Sequence, residues 1–324
     1  MSAQAAGHID TGKGRNQSAG FIYRKEGKRI MYKMKGCIPP MITPFKEDGE
    51  LDVKSLEALV EFLSGHVHGV FINGSYGCGA LMSLEERKQV AEITKRVSGG
   101  RIQVVDQVGT TTNGETTELI RHAKEIGVDA VAAVAPYYFT HNEDSILYFY
   151  EDMVKAAGDM PVYVYNNPKF QGYPISLNTI RKLRDIGVHG VKDATFDIMI
   201  HANYHRVLGA EGFDVVLGTE AMWLSACVLG TKAFIPGLAN AFPEINVKMY
   251  QEGMKGDYEA CRQTQFMVNK CRDIMYLAKS TQLAIYAMLD VRGVIKAYPR
   301  APFIAAGEKE KEAIREELKK LELI

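Results

Sequence analysis

The strongest constraint on the fold is an alternation that runs through most of the chain. Short segments rich in Val, Ile and Ala alternate with longer segments of helical periodicity. The short apolar segments are 37–42, 69–72, 102–105, 130–134, 161–165, 187–195, 213–217 and 232–235. Continuous apolar runs are typical of strands buried on both faces of a parallel sheet, which need crossover connections. Eight such units predict an α/β fold, a TIM (β/α)8 barrel with a C-terminal helical region.

A doubly wound open sheet is the alternative architecture for alternating strands and helices. Such sheets commonly bind a nucleotide through a glycine-rich turn after the first strand. The first apolar segment is instead followed by Thr43, Pro44 and Phe45. The sequence therefore favours the closed barrel.

The chain divides into three segments. Residues 1–30 are polar and lack the apolar stretch of a secretory signal, so we expect a disordered extension or a remnant of cloning. Residues 31–240 contain the eight units and correspond to the barrel. Residues 241–324 carry helical periodicity throughout and form the predicted C-terminal helical region, which would pack on the barrel or build an oligomer interface.

Composition limits the classes of partner. Lys and Arg together number 39, as do Asp and Glu, and the resulting zero net charge argues against a nucleic-acid partner. No apolar run is long enough to span a bilayer, so we expect no membrane partner. The five cysteines are odd in number and contain no C-x-x-C pair, which disfavours a disulfide scaffold or a zinc knuckle. We therefore expect a cytoplasmic protein.

Lys192 is the most informative single residue, because it lies at the end of the sixth apolar segment. A buried lysine is costly unless it is used, and burial favours loss of its proton. The neutral amine is a nucleophile that can form a Schiff base with a ketone. The alternative is a lysine that extends from the strand end to water.

Other polar residues follow neighbouring strands. Tyr165 ends the fifth segment, 27 positions before Lys192, so both would lie at similar height on adjacent strands. Its phenol can transfer protons. The segment 74–77, Gly-Ser-Tyr-Gly, offers backbone N–H groups and the Ser75 hydroxyl, a combination suited to an anion. The alternatives are a hydroxyl that stabilises a turn and aromatic rings that pack at a wet edge.

Competing chemistries find little support. His201 and His205 have a metal-binding spacing, but no carboxylate cluster accompanies them, and an isolated helical pair is more often solvated surface. No nucleophile elbow and no Walker motif occurs in the sequence. We therefore expect no metal site.

Several motifs together resemble the dihydrodipicolinate synthase / N-acetylneuraminate lyase family of pyruvate-type class I aldolases. The resemblance runs from residue 36 to about residue 303. The matching motifs are 43–44 (Thr-Pro), 74–77 (Gly-Ser-Tyr-Gly), 136–138 (Pro-Tyr-Tyr), 165–168 (Tyr-Asn-Asn-Pro), 191–195 (Val-Lys-Asp-Ala-Thr) and 237–240 (Gly-Leu-Ala-Asn). The resemblance implies a barrel with C-terminal helices, a homotetramer built as a dimer of dimers, and no cofactor.

The resemblance also implies roles for catalytic residues. Lys192 would be the Schiff-base lysine, and Tyr165 the proton shuttle. Ser75 would relay protons and help to hold the substrate carboxylate. Tyr138 matches a tyrosine that reaches into the neighbouring subunit's site.

Further residues would bind the substrate. The backbone around Tyr76 and Gly77 would hold the carboxylate of a 2-keto acid, and the backbone of Ile235 would line the pocket opposite the lysine. Cys78 replaces a glutamate common in the family. Phe170 lies where synthases of the lysine pathway carry an arginine that binds the second carboxylate.

These departures affect the second substrate, which is an aldehyde. They favour an enzyme similar to 2-keto-3-deoxy sugar-acid aldolases or N-acetylneuraminate lyases. The alternatives are 4-hydroxy-tetrahydrodipicolinate synthase, a 2-keto-acid dehydratase and a non-catalytic barrel that binds keto acids. The bulky side chains of Tyr76 and Phe170 are equally consistent with another alternative, a less polar aldehyde.

Overall fold

The computed structural model describes residues 24–25, 28–29 and 32–324. Eight parallel strands form one sheet in which neighbours in the chain are neighbours in space. The strands are β1 (Gly36–Cys37), β2 (Gly69–Ile72), β3 (Gln103–Gln107), β4 (Ala130–Val134), β5 (Val162–Asn166), β6 (Gly190–Asp193), β7 (Asp214–Leu217) and β8 (Ala233–Phe234). Strand β8 pairs with both β7 and β1. The predicted TIM barrel is confirmed.

The first strand is shorter than the predicted segment 37–42, because Pro39 and Pro40 lack N–H donors for a regular ladder. The barrel closes just beyond β1. The N–H of Phe71 donates to the Pro39 carbonyl at 2.9 Å, and the N–H of Met41 donates to the Phe71 carbonyl at 2.9 Å. These two bonds join the first strand to β2.

Helices follow the strands in the predicted order. They are α1 (Val53–Ser64), α2 (Leu84–Ser98), α3 (Asn113–Glu125), α4 (Glu143–Ala157), α5 (Pro168–Gln171), α6 (Leu177–Asp185), α7 (Ile198–Leu208), α8 (Trp223–Val228), α9 (Pro243–Lys255), α10 (Tyr258–Met275), α11 (Thr281–Val291) and α12 (Glu308–Lys320). Short 3-10 turns occupy Gly79–Leu81, Gly209–Glu211 and Gly237–Asn240. Only the four-residue helix α5 was not expected, and a proline at its first position sets its start.

The buried side chains form two layers, because successive strand residues point to opposite faces. One layer lies between the strands and the surrounding helices. The other fills the barrel interior and includes Phe71, Tyr163, Tyr165 and Val216. The interior is therefore packed, and in barrels of this kind ligand sites lie at the carboxyl ends of the strands.

The helices after β8 pack onto the barrel. Helix α9 follows β8, completes the eighth strand–helix unit and contacts β1, and α10 packs along α9. Helix α11 reaches the barrel, where the Tyr286 hydroxyl donates to the Thr43 carbonyl at 2.8 Å. The division at residue 240 stays a prediction. The expected extension, 1–30, lies outside the described residues apart from a short antiparallel pairing of Arg24–Lys25 with Lys28–Arg29.

Within the described part of the chain, no helix combines the length and apolar character needed to cross a membrane.

Candidate active site

Lys192 lies on the inner face of β6, directly opposite Tyr165 of β5 in the strand ladder. Its side chain is buried, and its Nζ lies 3.7 Å from the ring centroid of Phe71 and 3.7 Å from that of Tyr165. Burial lowers the pKa of Lys192 well below its ordinary value. The amine is therefore disposed to be neutral and nucleophilic. The predicted adjacency of the two residues is confirmed.

The Tyr165 phenol connects the lysine to the loop after β2. Its hydroxyl accepts a hydrogen bond from Asn167 Nδ2 at 3.2 Å and lies 3.4 Å from Ser75 Oγ, where either oxygen can donate. Burial raises the pKa of Tyr165, so the phenol stays protonated at neutral pH. Tyr165 and Ser75 thus form a short path along which a proton can move.

The loop after β2 has the shape of an anion-binding turn. The Thr43 hydroxyl donates to the Gly77 carbonyl at 2.7 Å, and Cys78 adopts a left-handed backbone with φ of 57°. The backbone N–H groups of Tyr76 and Gly77 find no acceptor within residues 32–324. Two such donors beside the Ser75 hydroxyl suit a substrate carboxylate.

The Tyr76 side chain anchors this loop to helix α11. Its hydroxyl donates to Thr281 Oγ1 at 3.2 Å, and Gln282 Nε2 donates to the Tyr76 carbonyl at 3.1 Å. Its ring lies so close to Gly237 that a Cβ on that glycine would be 2.6 Å from the phenol oxygen. The ring therefore needs a glycine at this position in the segment after β8.

A buried polar chain supports β6 from outside the barrel. Asp193 Oδ2 lies 2.9 Å from His201 Nδ1, and Thr231 Oγ1 lies 2.8 Å from the Nε2 atoms of both His201 and His205. The interpretation of this histidine pair as solvated surface is wrong for His201, which is fully buried. Its helical face packs against the barrel, which the spacing of the two histidines does not reveal. Burial lowers the pKa of His205 to about 4.

A cavity of about 320 Å³ opens next to Ser75 at the carboxyl ends of the strands. Its walls come from the loop after β2, the ends of β3 and β4, helix α5, the start of α11 and residues 302–303. Of the predicted site residues, Ser75 and Phe170 line this cavity. The predicted residues that do not line it are Lys192, Tyr165, Tyr138, Tyr76, Gly77 and Ile235.

Two predicted site residues, Tyr138 and Ile235, make no contact reported above with Lys192, Tyr165 or Ser75. Tyr138 is 86% exposed, with a φ of 80°, and its ring packs edge-on against Phe139 at 4.9 Å between centroids. Ile235 is buried in the barrel interior, and its N–H donates to the Leu217 carbonyl at 2.7 Å. The functional roles of Tyr138 and Ile235 stay predictions.

Sequence reasoning missed the partners that hold the site together. Phe71 covers one side of the lysine, but in the sequence it is one more apolar residue of a buried strand. Thr281 and Gln282 are more than 200 positions from Tyr76, so no local pattern connects them. Asn167 lies inside the Tyr-Asn-Asn-Pro motif, and this motif was the one sequence signal that could have identified a partner of Tyr165.

Within residues 32–324, no three His, Cys, Asp or Glu side chains are arranged as a group that could hold a metal ion.

Fold and site together define the class of protein: a TIM-barrel lyase of the class I aldolase type, in which a lysine forms a Schiff base. The chain belongs to the Dihydrodipicolinate synthetase family, whose sequence profile matches residues 33–321. It is 36% identical over 289 residues to an uncharacterized DapA-like lyase of Pyrococcus horikoshii, covering 87% of this chain and 99% of the relative.

Solved structures show the same architecture. A sialic acid aldolase of Ruminococcus gnavus has a TM-score of 0.84 and 27% identity, covering 90% of this chain and 99% of that one. A dihydrodipicolinic acid synthase family protein of E. coli K12, solved in complex with pyruvate, has a TM-score of 0.84 and 26% identity, with the same coverage. One of these relatives is uncharacterized and another is named a sialic acid aldolase, so family membership leaves the second substrate open.

Proposed function

We propose that this protein is an aldolase in which Lys192 forms a Schiff base with pyruvate or a related 2-keto acid. The enzyme then makes or breaks a carbon–carbon bond to an aldehyde. The observation that carries the proposal is the buried Lys192 Nζ, 3.7 Å from the Tyr165 ring and next to it in the ladder. The E. coli relative solved with pyruvate supports the choice of keto acid.

Each group near the lysine has a chemical task in this proposal. The neutral Lys192 amine attacks the ketone carbon of pyruvate and forms a carbinolamine. Tyr165 and Ser75 deliver the proton with which its hydroxyl leaves as water. The Tyr76 and Gly77 N–H groups hold the carboxylate. The imine then withdraws electrons, so that the methyl carbon can lose a proton and become the enamine nucleophile.

The identity of the aldehyde distinguishes the finer alternatives. The prediction of a 2-keto-3-deoxy sugar-acid aldolase or an N-acetylneuraminate lyase rests on Cys78 and Phe170. Cys78 replaces a glutamate common in the family, and Phe170 replaces the arginine of lysine-pathway synthases. The synthase alternative requires a cation to bind a second carboxylate. Phe170 cannot supply one. The adjacent Lys169 could do so only as a point charge, and it does not line the cavity.

Turnover with pyruvate and a panel of aldehydes tests the proposal. We expect consumption of pyruvate by the wild-type protein and none by Lys192→Ala, with an exposed-lysine variant, Lys270→Ala, as the matched control. Loss of water from a sugar acid without cleavage would indicate the dehydratase. Thermal stabilisation by pyruvate without turnover of any aldehyde would indicate the non-catalytic barrel and contradict the proposal.

The proposal includes a homotetramer, a dimer of dimers. Its support is Tyr138, whose exposed ring and left-handed backbone are held outward from the strand ends. A left-handed backbone is uncommon for a bulky residue and is often retained at functional positions. In the assembly, we propose that this ring enters the site of a neighbouring subunit.

A further inference from the structure

We infer that the second substrate is an aldehyde with an apolar substituent, carrying neither a carboxylate nor several hydroxyl groups. The inference rests on the proposed aldolase chemistry and concerns the cavity beside Ser75. It departs from the prediction of a sugar-acid aldolase or an N-acetylneuraminate lyase, because the aldehydes of those enzymes carry several hydroxyl groups. In this inference the aldehyde occupies that cavity, which meets the path to Tyr165 at Ser75. Its volume of about 320 Å³ is sufficient for a small organic molecule.

The walls of the cavity are mainly hydrocarbon. The apolar residues that line it include Leu81, Val134, Phe170, Pro302 and Phe303. Phe170 and Phe303 are 51% and 39% exposed, so apolar surface remains available to a ligand. A substituent that covers these rings removes apolar area from water, which favours binding.

Most polar groups in the cavity are already engaged by the protein. Gln107 accepts from the Gly109 N–H, and its Nε2 donates toward the Asn73 carbonyl at 3.5 Å. Gln282 Nε2 donates to the Tyr76 carbonyl and to Cys78 Sγ. A polyhydroxylated chain would therefore lose its water without gaining equivalent partners.

The hydroxyls of Tyr137 and Ser75 are donors suited to the aldehyde itself. Both residues line the cavity, and within the described chain no acceptor is found for the Tyr137 hydroxyl. One hydrogen bond from such a hydroxyl is enough for the oxygen of the reacting aldehyde. It does not satisfy the hydroxyl groups of a sugar.

No Asp, Glu, Lys, Arg or His among the described residues lines the cavity. Two arginines that hydrogen-bond to lining residues, Arg87 and Arg300, are engaged by the protein. The terminal nitrogens of Arg87 donate to the carbonyls of Gln107 and Gly109, and those of Arg300 pair with Glu86. A carboxylate in the cavity would be desolvated without a cation to balance it.

The reaction is balanced without any oxidant or reductant. The enamine carbon forms a bond to the aldehyde carbon, and the aldehyde oxygen takes up one proton. Water then hydrolyses the imine and releases a 4-hydroxy-2-keto acid, which replaces the water lost when the imine formed. The Lys192 amine is regenerated.

A matched set of four-carbon aldehydes tests the inference, with pyruvate as the constant partner. Butanal carries a methyl group where succinic semialdehyde carries a carboxylate, and erythrose carries hydroxyl groups. We expect kcat/KM for butanal to exceed that for each of the others at least about tenfold, and to rise further for hexanal. Equal or higher values for erythrose or succinic semialdehyde would overturn the inference.

Phe170→Arg provides a second test, for which the natural aldehyde need not be known. We expect it to lower kcat/KM for hexanal and raise that for succinic semialdehyde, each about tenfold. Phe266→Arg, at a similarly exposed phenylalanine on α10, is the control and should change neither. Unchanged preference in Phe170→Arg would contradict the inference.

Trapping of pyruvate on the protein by borohydride separates this inference from the proposed function. If pyruvate is trapped but butanal shows no advantage, the substrate inference fails alone. If no pyruvate is trapped, the proposed function fails, and the inference fails with it.

Discussion

Tyr165 and Lys192 are direct partners in the ladder between β5 and β6, and the lysine Nζ lies 3.7 Å from the tyrosine ring centroid. Two adjacent strands of a packed barrel thus fix the amine relative to the phenol. Groups on strands are held more rigidly than groups on loops, which suits a site whose chemistry depends on their separation. The Phe71 ring on the other side excludes water and favours the neutral amine.

Removing the Tyr165 hydroxyl tests its proposed role in proton transfer. We expect Tyr165→Phe to slow pyruvate imine formation and turnover by about 10²- to 10³-fold, because a positioned acid–base group contributes on that order. The rate of trapping during a single turnover measures this effect.

Tyr163→Phe is the matched control for that variant. Tyr163 is buried on the same strand, but its hydroxyl donates to Asp214 Oδ2 at 2.7 Å instead of approaching Ser75. We expect this variant to lose stability while each folded molecule keeps its catalytic rate. An equal loss of rate in both variants would argue against a specific role for Tyr165.

Replacing the buried lysine by an apolar residue should stabilise the fold. At neutral pH, we expect Lys192→Met to raise the free energy of unfolding by about 1–3 kcal/mol, because an amine buried between two aromatic rings loses its hydration. Lys270→Met, at an exposed position, is the control. Urea unfolding of the two variants measures the difference.

The pH dependence of this stabilisation has a definite sign. The pKa of Lys192 is lowered in the folded state, so between its folded and unfolded pKa values the unfolded chain binds more protons. The free energy of unfolding of the wild-type protein therefore increases with pH across this interval, up to the ordinary lysine pKa of about 10.4. The advantage of Lys192→Met should shrink as pH approaches that value. A constant advantage across this range would contradict a neutral buried amine.

The contact of Tyr76 with Gly237 predicts a coupled pair. Gly237→Ala places a methyl group against the phenol ring, so we expect a loss of about 1–3 kcal/mol from overpacking. In Gly237→Ala combined with Tyr76→Ser, the clash is absent, and the combined loss should be smaller than the sum of the single losses.

Gly114→Ala is the control for the glycine substitution. Nothing lies within 4 Å of a Cβ at Gly114, which is in helix α3, so alanine should stabilise the protein slightly. Additive losses in the double-mutant cycle would show that the ring and Gly237 are not coupled.

Exchange of subunits tests the proposed position of Tyr138. Lys192→Ala and Tyr138→Ala should each be nearly inactive. We unfold equal amounts of the two variants together and refold the mixture. About half of the subunit pairs then contain one of each variant, and one of the two sites in each such pair is complete. The mixture should therefore regain about a quarter of wild-type activity. A mixture that stays inactive, or full activity in Tyr138→Ala alone, would place this residue outside the neighbour's site.

Sequence alone was sufficient for the barrel and for the neighbouring positions of Tyr165 and Lys192. Both depend on local periodicity and on the regular length of one strand–helix unit, which a sequence displays directly. The short β1 was harder to delimit, since Pro39 and Pro40 interrupt its ladder while its apolar character continues.

The sequence could not indicate how distant segments meet. The contacts of Tyr76 with Thr281 and Gly237 join residues more than 150 positions apart, so they depend on the packing of helices against the barrel. The burial of His201 depends in the same way on which face of α7 meets the barrel. The apolar cavity also draws its walls from several loops, and no single motif describes it.

The most direct test of the central claim is the mass of the protein after incubation with pyruvate and borohydride, followed by peptide mapping. The account predicts one adduct per chain, equal in mass to pyruvic acid less one oxygen atom, located on Lys192 and absent from Lys192→Ala. An unmodified Lys192, or an equal adduct on the Lys192→Ala protein, would contradict it.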